Sequence, residues 1–314
     1  MQLSDRIGRR MKLHDLHVLM TVVQAGSMNK AAALLNTTQP AVSKSIAELE
    51  RAVGVRLLDR NTQGVEPTAC GRALIDGGAT VFDELRQTVK NIEFLADPEA
   101  GDVRIGCNPF LAASFVSAVV DRLSQRLPRI VFHLVTGGNE TLHRELGERN
   151  VDLLIARRFG PIADEQFSVE ILYDESWVVV VGAQNPWARR HKVELPELAN
   201  ESWALPAPES VTGLIATEAF RAIGLDHPRV TVVTISPEAR ISLLATGHFL
   251  SIFPASALRF PTKRSDIKVL PIALPVACVP NGIVTLKNRT LSPVAQLFIE
   301  HAREVAKPLV KKRS

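Results

Sequence analysis

Gln39, Pro40, Ala41, Ser43, Lys44 and Ser45 are the residues here whose types and spacing most directly suggest chemistry. They open a segment of helical periodicity and lie largely opposite its apolar residues Val42, Ile46 and Leu49. Gln can pair with the edge of an adenine through two hydrogen bonds. Ser can bond a base or a phosphate, and Lys44 can hold a phosphate. Pro and Ala can touch a thymine methyl. A helix carrying this set at its N-terminal end is a candidate reader of the DNA major groove.

The flanking residues must position that helix. Leu13, Leu16, Leu19, Met20 and Val23 form an apolar stripe on a first helix, which Gly26 ends. Ser27 is placed to cap a short second helix over 28–35, where Ala32, Leu34 and Leu35 can pack closely. Asn36 and Thr37 make the turn. Thr38 can cap the third helix, with Pro40 in its first turn and Gly54 at its end. A strand–loop–strand running through Val55–Leu58 to Val65–Pro67 would be a wing, with Arg60 as its phosphate contact. Ser27 and Asn29 join the DNA-facing candidates. The order is that of a winged helix-turn-helix over residues 13–68. A solvated three-helix unit with polar residues outside is the competing reading.

Residues 69–96 read as one long linker helix, with Thr68 as its N-cap. Leu74, Val81, Leu85, Thr88, Ile92 and Leu95 trace a broken heptad seam, and Gly78 on that seam permits close helix approach. The expectation is a dimer interface built from Leu74, Val81, Leu85, Ile92 and Leu95, the alternative being packing on the same domain. Residues 97–101, Asp-Pro-Glu-Ala-Gly, then read as a hinge.

From residue 102 strands and helices alternate. Strand-like Val103–Gly106, Ile130–Val135 and Asp152–Ala156 enclose helices over 110–127 and 139–149. This βαβαβ series implies a mostly parallel sheet. A second series holds Trp177–Val181, 203–205, Arg229–Ile235 and Phe249–Phe253, with helices over 211–223 and 237–246. Ile267–Leu270, Ile283–Leu286 and a helix over 293–306 complete the chain. The expected sensor domain spans 102–308. Its first lobe covers about 102–175 and 275–308, its second 176–274, and a basic tail follows at 309–314.

Ligands of open α/β sheets bind beyond the carboxyl ends of strands. That rule selects Asn108, Pro109, Phe110, Thr136, Gly138, Asn139 and Arg157 in one lobe, and in the other the loop 206–212, with Pro206 and Ser210, and Ser236. Helix N-termini favour anions, and Arg157 or Arg158 could clamp a carboxylate. The expected effector is a small organic, sugar or aromatic acid, with no other cofactor. Ordinary loop chemistry is the competing account of each single residue.

The 314 residues suffice for two or three domains, and the net charge of +4 is too small to imply nucleic-acid binding by itself. Residues 1–68 carry nine Lys and Arg against six Asp and Glu. The basic cluster Arg6, Arg9, Arg10 and Lys12 reads as a disordered extension over 1–12, or as an arm on the DNA backbone. No apolar run is long enough to span a bilayer, and the start lacks an apolar signal core, so a cytoplasmic protein is expected. Cys70, Cys107 and Cys278 have no metal-ligand spacing and are expected to be buried, inert thiols, with redox sensing by a disulfide as the competing reading. No GxSxG, Walker loop, GxGxxG or HExxH occurs, so an enzyme is not expected. A solute-binding protein would leave the first 96 residues without a purpose.

The segment AGSMNKAAALLNTTQPAVSKSIAELERAVGVRLLDR, followed by EPTACGRAL, resembles the LysR-type transcriptional regulators. GDVRIG at 101–106 and VDLLIARR at 151–158 are similar to that family's first-lobe strands. GHFLSIFP at 247–254 and NGIVTLKNRTLSP at 281–293 look like its branch of galactose-binding-protein and protocatechuate-pathway regulators. The resemblance implies a periplasmic-binding-protein-like sensor, a homotetramer on a partly palindromic promoter, and RNA polymerase as a partner. It carries DNA contacts onto Gln39, Pro40, Ser43 and Lys44, backbone or cap roles onto Ser27 and Thr38, and a wing role onto Arg60. Some relatives have a further wing Arg where this chain has Gln63. Phe110 stands where some relatives place a small hydroxyl residue, which would favour an apolar or ring-bearing ligand.

Overall fold

The computed structural model describes residues 11–61, 64–157, 166–225, 227–260 and 266–310, without the side chains of Arg60 and Asn61. The chain forms two compact units, Met1–Thr88 and Val89–Ser314. Their boundary falls inside the long helix rather than at residues 97–101.

In the first unit, helices α1 (Leu13–Ala25), α2 (Met28–Leu34) and α3 (Gln39–Val53) enclose one core. Leu16, Val18, Leu19 and Val22 of α1 meet Val42, Ile46 and Leu49 of α3 there. The buried face of α1 runs through Asp15, Val18, Leu19 and Val22. Leu13 lies about half a turn away and is exposed, against the expected stripe. Leu34 is also misplaced in the sequence reading. It is 66% exposed, and α2 buries Met28, Ala31 and Ala32 instead. Gly26 and Gly54 adopt left-handed backbone (φ 65° and 78°) and terminate α1 and α3.

The wing begins later than expected. Strand β1 is Leu58–Asn61 and β2 is Gly64–Pro67, paired antiparallel, while Val55 and Arg56 stay in the connecting loop. The Glu50 carboxylate accepts from the Leu57 backbone N–H (2.8 Å) and holds that loop on α3. Val65 N–H donates to Gly26 O, tying the wing to the end of α1. A Cβ at Gly64 would lie 2.7 Å from that same oxygen.

Helix α4 (Ala69–Ala96) starts at Thr68, whose hydroxyl accepts from Gly71 N–H. Its seam divides in two. Leu74, Ile75 and Phe82 pack on the first unit's core, and a Cβ at Gly78 would lie only 3.0 Å from Leu16 Cδ1 of α1. Leu74 and Gly78 therefore serve the chain's own fold rather than a partner. Val81, Leu85, Val89, Ile92 and Leu95 are 43–81% exposed.

In the second unit, Ala100 and Gly101 already belong to strand β3 (Ala100–Cys107), so the expected hinge shrinks to residues 97–99. Arg129 grips Asp97 through two hydrogen bonds (2.6 and 2.8 Å) and reaches Glu99 at 3.1 Å. The first sheet has the order β4-β3-β5-β12-β6. These strands are Arg129–Thr136, Ala100–Cys107, Leu153–Arg157, Val279–Leu286 and Phe167–Glu175. The second sheet has the order β11-β7-β10-β8-β9. Its strands are Ile267–Val269, Trp177–Gly182, Phe249–Pro254, Ser202–Leu205 and Val230–Val233.

Both sheets are mixed. β12 runs antiparallel to β5 and β6, and β7 runs antiparallel to β10 and β11. These returning strands correct the expectation of a mostly parallel sheet. β6 was missing from the sequence reading, where Glu170 and Asp174 interrupt its apolar pattern. It is an edge strand on which Asp174 is exposed and Glu170 accepts from Arg303, while Glu175 at its end is buried. β12 starts at Val279, before the expected Ile283, and has an irregular register at Asn281/Gly282.

Helices α7 (Asn139–Gly147), α8 (Val211–Arg221), α9 (Pro237–Ala245) and α10 (Pro293–Ala306) stand close to expectation. The expected helix over 110–127 is broken into α5 (Pro109–Leu111), a π-helical turn Ala112–Val116, and α6 (Ser117–Ser124). Within it Ser114 Oγ donates to Phe110 O, and Ser117 Oγ donates to Ala112 O five residues back. Such side-chain bonds to preceding carbonyls accompany the wider turn.

Candidate functional site

In the first unit, the turn after α2 and the start of α3 expose Asn36, Thr37, Thr38 and Gln39. Asn36 takes a left-handed conformation (φ 50°), which lets the chain reverse between the two helices. Thr38 and Ser27 occupy the N-cap positions of α3 and α2, but neither side chain makes a capping hydrogen bond. Their hydroxyls are therefore not committed to the helix ends, contrary to the capping expectation. Thr38, Gln39, Pro40 and Ala41 are exposed at the start of α3, and Ser43 and Ser45 are half-buried. Lys44 is exposed and lies 4.0 Å from Glu48, a loose surface pair. Asn29 is exposed and Ser27 half-buried. Arg60 lies on β1 opposite Val65, with its side chain outside the described residues. Gln63, Arg6, Arg9 and Arg10 also lie outside them.

In the second unit, a cavity of about 260 Å³ lies between the two sheets' domains. Asn108, Pro109, Phe110, Gly138, Asn139 and Arg157 line it from the first lobe. Pro206 and Ser210 line it from the second. Thr136 and Ser236 line an adjacent depression that shares Pro109 and Ile235. Arg158 lies outside the described residues. Glu209 and Thr212 of the expected loop 206–212 also line it, and the structure adds Ile235 and Arg240, which the sequence does not single out.

Several expected ligand contacts are helix caps. Asn108 Oδ1 accepts from Leu111 N–H (3.0 Å). Ser210 Oγ accepts from Gly213 N–H (3.1 Å) and donates to Ala207 O (2.6 Å). Ser236 Oγ accepts from Ala239 N–H (3.1 Å). These atoms order the cavity wall. Gly213 is required at this wall, because a Cβ there would lie 2.0 Å from Ala207 O. α7 differs in that its N-cap is Gly138, which offers no side chain, so its first N–H groups lack a side-chain cap.

Phe110 also departs from expectation. It is buried, packing edge-on to Phe253 of the other lobe at 4.8 Å. Arg240 stacks on its face at 4.4 Å. Its ring thus serves a contact between lobes more than a platform for a ligand.

Both arginines of the lining are buried. Arg157 is 7% exposed and stacks over Trp177 at 4.9 Å, and its Nε and Nη2 find no hydrogen-bond partner among the described residues. Burial pulls its pKa down, and the nearby Glu175 carboxylate opposes that shift. Glu175 is buried too, accepting from Ser256 N–H, Ser256 Oγ and Asn281 Nδ2. Arg240 is 1% exposed, and its pKa falls to about 9, through burial first and then repulsion from Arg157. It therefore stays charged at neutral pH.

Cys107, at the end of β3, is buried, and burial pushes its thiol up to about 12. Cys70 and Cys278 are exposed, which corrects the expectation of three buried thiols. Among the described residues no His, Cys, Asp or Glu group could hold a metal ion.

The comparisons agree with this geometry. Residues 13–72 match the family described as bacterial regulatory helix-turn-helix protein, lysR family. Residues 96–307 match the LysR substrate binding domain. The regulator PcaQ of Agrobacterium fabrum is 25% identical over 98% of this chain and 99% of its own. A full-length OxyR variant from Pseudomonas aeruginosa superposes with a TM-score of 0.68 at 20% identity, covering 97% of this chain and 99% of that one. Full-length CbnR complexed with its target DNA gives 0.54 at 21% identity, covering 94% and 100%. The order winged helix, linker helix and two-lobed sensor is common to the residues, the fold and these matches, and the chain belongs to the LysR family of DNA-binding transcriptional regulators with an effector-binding domain.

Proposed function

We propose that the cleft of the second unit receives a small organic acid, and that its occupancy controls promoter binding by the winged helix. The observation carrying this reading is the cavity itself, lined from both lobes and holding two buried guanidiniums. Buried cations of this kind favour an anionic guest. The uncapped N-terminus of α7 adds a weaker contribution of the same sign. On the DNA side, Gln39 and Ser43 read base edges, and Pro40, Lys44, Thr38, Ser27, Asn29 and Arg60 supply the surrounding contacts. The protein works in the cytoplasm as a dimer or tetramer, with RNA polymerase as its partner at the promoter. The exposed stripe Val81, Leu85, Ile92 and Leu95 supports the self-association.

The test is a titration of promoter DNA, starting with the region beside the protein's own gene. Gln39→Ala and Ser43→Ala should each weaken specific binding by about 1–3 kcal/mol while the melting curve stays unchanged. Unaltered operator affinity in both variants would remove α3 as the reading helix.

A further inference from the structure

The two cleft arginines are not electrostatically equivalent. Arg157 has a carboxylate nearby, Glu175, and an aromatic face, Trp177. Arg240 has no ion pair among the described residues, and the neighbouring Arg157 guanidinium opposes its charge. Its guanidinium lies between the rings of Phe110 (4.4 Å) and Phe253 (5.1 Å). Nη1 donates two long hydrogen bonds, to Ser251 Oγ and Ile252 O, both 3.3 Å, and Nε has no partner. A buried cation left in this state is costly, and an adjacent anion offsets that cost.

We infer that Arg240 is the anion receptor of the cleft, and that the ligand is a small monoanion with one carboxylate. This rests on the cleft being the effector site. Arg157 already has the Glu175 carboxylate nearby and the Trp177 face beneath it, which leaves Arg240 as the cleft cation without a carboxylate of its own among the described residues. A second carboxylate would meet Glu209, which lines the same cavity at its exposed side, or Glu175 behind Arg157. The volume of about 260 Å³ sits at the small end for ligand pockets. Arg240 also contacts both lobes, through Ser251 and Ile252 in its own and Phe110 in the other. A ligand seated on it is thus read by both lobes at once.

Thermal unfolding of the full chain tests this with acetate and succinate as probes, each titrated at constant ionic strength. Acetate should raise the melting temperature of the wild type and of Arg157→Lys. Arg240→Met should lose that response, with a roughly tenfold or greater drop in apparent affinity, the scale of one charge-assisted hydrogen bond. Succinate should shift the wild type less than acetate does. Without added anion, Arg240→Met should retain more stability than Arg157→Met, which leaves Glu175 buried without a counter-charge. If Arg157→Met does not fold, that supports the order, and Arg157→Lys supplies the binding comparison. An undiminished acetate response in Arg240→Met would overturn the receptor assignment and leave the cleft reading standing. A larger response to succinate would overturn the monoanion. Absence of any acetate shift in the wild type would overturn both the receptor and the acid-binding cleft.

Discussion

Gln39 and Arg240 show how differently single residues can be read. Gln39 is exposed at a helix start, so its chemistry is its side chain's own, and the sequence exposes it directly. Arg240 sits inside a short amphipathic segment, where an arginine ordinarily reads as solvated. Its burial between Phe110 and Phe253 depends on residues distant in the chain, and no local pattern announces it. Arg157 was legible because it ends a wholly apolar strand, where a charge is conspicuous. Phe110 belongs to the same scale. Phe110→Ala should lower stability by about 3–5 kcal/mol, as loss of a buried aromatic ring commonly does. Urea denaturation measures it, and a change under about 1 kcal/mol would mean the ring does not bridge the lobes as the 4.8 Å contact suggests.

At the scale of elements, α3 and α4 divide the work. Ile46 is fully buried on α3, so Ile46→Ala should cost about 2–5 kcal/mol, measured by denaturant titration. Collapse of DNA binding with unchanged stability would contradict a purely structural role for it. On α4, Leu85→Asp and Ile92→Asp place charges on the exposed stripe without touching the packed residues Leu74 and Phe82. Light scattering should report a smaller assembly, and an unchanged mass would exclude this face as the interface. At the short connection after α4, the hydrogen bond from Arg129 holds the Asp97 carboxyl below its ordinary range. The sign follows directly. A depressed carboxylate contributes stability above its ordinary pKa of 3.8 and loses it as pH falls through the folded value. The melting difference between wild type and Arg129→Met should therefore be constant near neutrality and shrink below about pH 4. A difference that grows in acid would refute the pairing.

For the whole molecule, the sequence alone determined the kinds of element and their order. The glycine stops at Gly26 and Gly54, the helical periodicity of α3 and α4, and the alternation of strands and helices after residue 102 are local signals with local physical causes. They sufficed for a winged helix, a linker and a two-lobed α/β sensor, and eight of the ten expected cleft residues line the main cavity while Thr136 and Ser236 line its neighbour. Tertiary structure decided what local pattern cannot encode. It directed Gly78 and Leu74 to the chain's own core instead of a partner, because Leu16 of α1 fills the space beside that glycine. It turned Asn108, Ser210 and Ser236 into caps, because unpaired N–H groups at helix starts claim the nearest oxygen. Above all it separated Arg157 from Arg240. Charge compensation depends on distances across the fold, and only the folded chain brings Glu175 near the one while leaving the other without an ion pair among the described residues.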